Sequence, residues 1–107
     1  MADSAYWNPK NETLARDDLH RLQLLKLQRL AAWSYEGSPF HRRKFDEAGF
    51  HPEQLKSLDD IRRIPYMTRE EWMTSIADQP LFGDLPSASQ DVAIRYHLTS
   101  GTSGRVL

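Results

Sequence analysis

The stretch whose residue types and spacing could do chemistry is Thr99-Ser100-Gly101-Thr102-Ser103-Gly104-Arg105. Glycine lets a backbone turn several N–H groups toward one point and come close to an anion, hydroxyls add further donors, and a neighbouring cation offsets negative charge. Ser100, Thr102 and Ser103 supply hydroxyls, Gly101 and Gly104 the backbone freedom, and Arg105 the cation. The chemistry this composition suits is the holding of a phosphate. The Walker pattern places four residues between its glycines and a Lys directly after the second. Here only two residues separate Gly101 from Gly104 and no Lys follows, which disfavours a P-loop nucleotidase. Taken alone, the same residues also fit a flexible Ser/Gly turn.

A phosphate loop needs a rigid element feeding it. Val92, Ile94, Tyr96 and Leu98 alternate with Ala93, Arg95, His97 and Thr99. That is the period-two pattern of a strand with unlike faces, so a strand is expected over 92–98, running directly into the loop. His97 is read as a strand-face residue rather than a catalytic base, since proximity to a site does not make a histidine a participant. His20, His41, His51 and His97 show no paired ligand spacing, and no protein metal site is expected.

Upstream, the chain reads as helical. Residues 1–12 are polar with Pro9 and are expected to be an extended lead-in, with Tyr6 and Trp7 seeking a surface to dock on. From Arg16 to Glu36 strong helix formers dominate, Asp17 and Asp18 complement the positive N-terminal end, and Gly37 stops the helix. Leu19, Leu22, Leu30 and Trp33 lie on one side of it, and Leu24, Leu27, Ala31 and Tyr35 on another. A helix apolar on two sides needs two neighbours, so this one is expected to be a core helix. Where a neighbour is missing, one side is left exposed. Ser38-Pro39 caps a short helix from Phe40 to Ala48, ended by Gly49; Arg42-Arg43-Lys44 within it is read as a solvated face. Ser57 caps an element that Pro65 closes at Ile64, and Thr68-Arg69-Glu70-Glu71 is a capping box opening a helix through Ala77. Residues 80–91, with two prolines and Gly83, read as an irregular connection.

The chain of 107 residues holds 39% hydrophobic and 27% charged residues, with fourteen Lys and Arg against fifteen Asp and Glu for a net charge of -1. No long-range field draws such a chain to nucleic acid or an anionic membrane. The absence of cysteine excludes a disulfide framework, a thiolate metal site and a cysteine nucleophile. No basic-then-apolar leader opens the sequence and no apolar run approaches the ~20 residues of a membrane span. The expected setting is cytoplasmic.

The loop resembles the signature of the adenylate-forming (AMP-binding) superfamily, whose usual form is Ser-Ser-Gly-Thr-Thr-Gly-x-Pro-Lys. Thr99, Ser103 and Val106 replace Ser, Thr and Pro, and Leu107 stands at the usual Lys. Within the superfamily the sequence is most similar to the phenylacetate-CoA ligase branch, whose loop reads Arg-x-His-x-Ser-Ser-Gly-Thr-Thr-Gly-Lys-Pro-Thr. Arg95, His97 and Arg105 follow that arrangement, with Arg in place of Lys. Tyr6-Trp7-Asn8, Arg16-Asp17, Leu22-Gln23, Ser38-Pro39-Phe40, Arg42 through Gly49 and Leu58 through Pro65 are likewise similar in order and spacing to the start of such ligases. His41 stands where the family has Tyr.

The resemblance implies an N-terminal α+β fragment of a larger α/β enzyme. Its parts are a helical cap over 1–79, a connection over 80–91, and a strand plus phosphate loop over 92–107. It implies an acid-thiol ligase that joins a phenylacetate-like aromatic acid to AMP, with release of pyrophosphate, and then to CoA. ATP, Mg²⁺, CoA and a small carboxylic acid are the implied ligands. Thr99, Ser100, Gly101, Thr102, Ser103, Gly104 and Arg105 are the implied phosphate-binding residues, and the fragment alone is expected to be inactive. An exposed apolar helix offers a route to self-association. Two other readings stay open: a small helical interaction module with a Ser/Gly tail, and an adenylating enzyme for a non-aromatic acid or for an acceptor other than CoA.

Overall fold

The computed structural model describes residues 5–99. Four α-helices are seen among them: α1 (Pro9–Glu12), α2 (Arg16–Gly37), α3 (Pro39–Ala48) and α4 (Arg69–Asp78), with 3₁₀ turns at Pro52–Gln54, Leu58–Arg63 and Gln90–Val92.

The short helix α1 takes up the last four residues of the extended lead-in expected over 1–12, of which residues 1–4 lie outside the described residues. Pro9 sits at its first turn and the Asn8 side chain accepts from the Asn11 N–H at 3.1 Å, so a local cap outweighs the polar composition. The α3 boundaries follow the expected chemistry. Ser38 Oγ accepts from the His41 N–H at 3.2 Å, and Gly49 closes the helix in the left-handed conformation at φ 66°, which costs a glycine little. At α4 the capping box is formed in both directions: Thr68 Oγ1 accepts from the Glu71 N–H at 3.1 Å, and Glu71 Oε2 accepts from the Thr68 N–H at 2.8 Å.

The core is small. Ala31, Phe45, Phe50 and Leu55 are buried together, with Leu24, Leu27, Tyr35 and Ile64 packed on them. One side of α2 therefore faces α3 and the turns that follow it, and Gln28 Nε2 ties α2 to the Leu55 carbonyl at 2.8 Å. The other side is open: Leu30 and Trp33 are more than half exposed. The expectation of a helix buried on both sides is corrected accordingly, because α3 and the turns after it pack on one side of α2 and leave Leu30 and Trp33 on the other more than half exposed.

The strand expected over 92–98 is also corrected. Among the described residues no strand is present; a 3₁₀ turn takes up Gln90–Val92 and residues 93–99 form no regular element. Alternation records which side chains want burial, whereas a strand exists only when a second strand satisfies its N–H and C=O groups.

Candidate functional site

Ser100, Gly101, Thr102, Ser103, Gly104 and Arg105 lie outside the described residues, and of the expected phosphate-binding set only Thr99 lies within them, at an exposed position. What the structure does show is the scaffold that leads the chain to that loop.

Asp84 is the joint of this scaffold. Its carboxylate accepts from Ser75 Oγ at 2.6 Å and from Arg43 Nη1 at 3.0 Å, while its own N–H donates to Ser75 Oγ at 2.8 Å. Its carbonyl accepts from the Phe40 N–H at 3.0 Å. One residue of the connection thus holds the N-terminal turn of α3 and the middle of α4. Gly83, at φ 67°, makes this possible, because a Cβ there would collide with Ser75 Oγ. Burial of Asp84 raises its pKa, but the Ser75 and Arg43 hydrogen bonds outweigh this and the net shift is downward.

Arg42-Arg43-Lys44 is more than the solvated face that a charge run suggests. Arg42 Nε donates to the Tyr35 carbonyl at 3.0 Å and its guanidinium lies 5.1 Å from the Tyr35 ring centroid. Arg43 pairs with Asp84, and Lys44 Nζ, whose side chain is 19% exposed, pairs with Glu71 at 2.7 Å. The three cations stitch α3 to α2, to the connection and to α4. Sequence reasoning missed Asp84 and Ser75 because their partners are distant in the chain. The turn residue Gly83 directly before an acid was the available signal.

Replacing Asp84 with Ala removes the acceptor of Ser75 and Arg43 together, and charged hydrogen bonds of this kind are worth roughly 1.5–3 kcal/mol. The expected loss for Asp84→Ala is about 2 kcal/mol by urea denaturation, with Asp84→Asn losing less. A loss under about 0.5 kcal/mol would show that Asp84 is not the joint.

A pH dependence follows from the same groups. Glu71 is held below its ordinary pKa by hydrogen bonds from Lys44 and the Thr68 N–H, and Asp60 by the N–H groups of Lys56 and Ser57. His41, half-buried with its ring edge-on to Phe40 at 5.4 Å, is lowered by burial against an opposing pull from Asp84. In every case the folded pKa lies below the unfolded one, so the unfolded chain binds more protons on acidification. The contribution of these groups is complete above about pH 6.5, declines first through His41, and falls further below about pH 4 as the carboxylates are forced to protonate. Urea midpoints at pH 7, 5.5 and 4 should fall in that order; a flat series contradicts it.

Two cavities beside the 81–98 segment have mostly apolar walls. Trp72, Ile76, Leu81, Phe82, Tyr96 and Leu98 line a cavity of about 320 Å³, with His97 at its wall. A second cavity, of about 260 Å³, lies between Trp33 and the 86–96 segment and shares Phe82 and Tyr96 with the first. The Phe82 and Tyr96 rings meet edge to face, centroids 6.2 Å apart. Among the described residues no group of three or more His, Asp or Glu could hold a metal ion, and no helix is long and apolar enough to cross a membrane.

Comparison with known proteins places this scaffold. No family model matches the chain. It is 40% identical over 99 residues to the phenylacetate-coenzyme A ligase of Thermus thermophilus, covering 92% of this chain and 21% of that protein. It is 35% identical over 94 residues to the Escherichia coli phenylacetate-coenzyme A ligase, covering 88% of this chain and 20% of that one. Among solved structures, 2-hydroxyisobutyryl-CoA ligase in complex with 2-HIB-AMP and CoA superimposes with a TM-score of 0.88 at 40% identity, over 98% of this chain and 22% of that chain. The same ligase in its postadenylation state gives a TM-score of 0.87 at 39% identity, covering 94% of this chain and 22% of that one. The chain spans about a fifth of the length of the curated relatives it matches. Sequence and fold agree across nearly all of its own length, and the chain is similar to the phenylacetate-CoA ligases over a stretch that makes up about a fifth of each.

Proposed function

We propose that this chain is the phosphate-loop-bearing part of an ATP-dependent carboxylate-CoA ligase acting on an aromatic, phenylacetate-like acid. The observation that carries the reading is the match of its sequence to phenylacetate-coenzyme A ligases over 88% to 97% of its length. In this proposal the acid carboxylate attacks the α-phosphorus of ATP, forming acyl-AMP and expelling pyrophosphate. The CoA thiol, losing its proton, then attacks the acyl carbon and expels AMP. Ser100, Gly101, Thr102, Ser103 and Gly104 hold the β- and γ-phosphates through N–H groups and hydroxyls, Thr99 flanks them, and Arg105 offsets the charge that builds on the departing pyrophosphate. This donor set, all N–H, hydroxyl and guanidinium, fits a polyphosphate. Mg²⁺, when bound, would neutralise phosphate oxygens.

The division of labour we assign is a helical cap over 1–79, a connection over 80–91 and the loop-bearing segment over 92–107. A second reading, a small aliphatic hydroxy acid in place of the aromatic one, is favoured by the 2-hydroxyisobutyryl-CoA ligase structures, which match at comparable identity. The test is a ligase containing this segment, assayed for thioester formation with phenylacetate and with 2-hydroxyisobutyrate. Turnover of the hydroxy acid alone would replace the first reading with the second. The 107-residue chain by itself should form no acyl-AMP from ATP and either acid; product above the enzyme-free background would overturn its status as one part of a site.

A further inference from the structure

The chain exposes more apolar surface on one face than a self-contained domain of its size has reason to. Trp33 is 57% exposed, Leu81 68%, Tyr96 66% and Leu98 69%. These side chains are neighbours, since the two apolar cavities that they line meet at Phe82 and Tyr96. The radius of gyration is 17.8 Å, against about 13 Å for a compact domain of roughly 100 residues. A chain this open, with a connected apolar face, has an interface in place of part of a core.

We infer that the face around Phe82 and Tyr96, extending to Trp33 and Leu98, is the surface on which the remaining body of the ligase packs. The occupant follows from length. The solved relatives reproduce this fold over 94% to 98% of the chain, yet it makes up only 22% of each, so about four fifths of a ligase lies outside it. The face also lies beside the segment that leads to the loop, where that body has to meet the phosphates for the proposed reaction. A bilayer is the poorer fit: the chain's net charge is -1, and Arg95 and His97 are the basic residues lining the two cavities. The inference rests on the ligase reading for the identity of the occupant, but its readout is stability rather than turnover.

The experiment places the 107 residues in the Thermus thermophilus relative in place of its matching stretch, and introduces Trp33→Asp and Tyr96→Asp separately into this chimera and into the chain alone. Each substitution should lower the Tm of the chimera by at least about 4 °C and that of the chain alone by no more than about 1 °C. An unshifted chimera would mean that the face stays solvated, and an equal fall in both proteins would mean that it packs within the chain; either overturns the inference. So does sedimentation of the chain as a dimer that Tyr96→Asp dissociates, since a second copy is then the occupant. Should the chimera fail to fold, the tagged chain is co-expressed with the relative lacking its matching residues. A one-to-one complex that Tyr96→Asp weakens at least tenfold supports the inference, and no complex overturns it. A chimera with the expected Tm pattern but without thioester activity would keep the docking face while removing the proposed function.

Discussion

Phe45→Ala is expected to abolish cooperative unfolding of the 107-residue chain, or to lower its Tm by at least about 12 °C. Truncating a buried Phe to Ala costs about 3–5 kcal/mol, through lost transfer energy and the cavity left behind. A chain of this length has about 5–15 kcal/mol in total, and each kcal/mol shifts the Tm by about 4–8 °C. Here the low end applies, because the core cluster has only four buried members and Phe45 is central to it. Its ring stacks on Phe50 with centroids 6.3 Å apart and meets Tyr35 edge-on at 6.0 Å. Removing it uncouples α3 from α2 and from the turn that carries Leu55. Ile61→Ala, at a position 54% exposed, is the control and should stay within about 0.5 kcal/mol. Thermal melts followed by circular dichroism decide the matter: a Phe45→Ala melt within about 5 °C of the parent would show that the core lies elsewhere.

Arg105→Ala, made in a ligase that contains this segment, is expected to lower the rate of acyl-AMP formation by about 10²–10³-fold. Loss of one donor aimed at charge that develops in the transition state has that magnitude. The substitution should fall on kcat more than on KM for ATP, since the charge being met grows as pyrophosphate departs. Arg105→Lys keeps the cation and should recover most of the rate. The second half-reaction supplies the contrast. Thioester formation from added acyl-AMP expels AMP and not pyrophosphate, so it should be unaffected. Equal losses in both half-reactions would assign Arg105 a structural role and remove it from the phosphate site.

Helix boundaries were legible in the sequence wherever a side chain could reach its own backbone. Ser38, Thr68 and Gly49 mark the ends of α3 and α4 at the positions their chemistry dictates, because a cap is satisfied within three or four residues. Asn8 followed by Pro9 carried the same information for α1, and the polar composition around them masked it. The alternation over 92–98 was legible as a pattern of burial preference and misleading as secondary structure, since the pairing that makes a strand is not a local property. Of the Asp84 joint only the turn at Gly83 was legible: its partners Phe40, Arg43 and Ser75 come from two helices whose mutual placement depends on the packing of the core.

By itself the sequence determined where α3 begins and ends and where α4 begins, which side of α2 carries Leu27 and Ala31, and a loop motif that, together with the matching segments before it, resembles the adenylate-forming ligases. Those are matters of nearest neighbours and residue identity. Tertiary structure decided that Arg43 and Lys44 pair rather than sit in solvent, that Asp84 joins α3 to α4, and that Trp33 and Tyr96 stay uncovered. Each of these depends on which surfaces meet. That is set by the sum of many weak apolar contacts across distant residues, and no short stretch of sequence contains it.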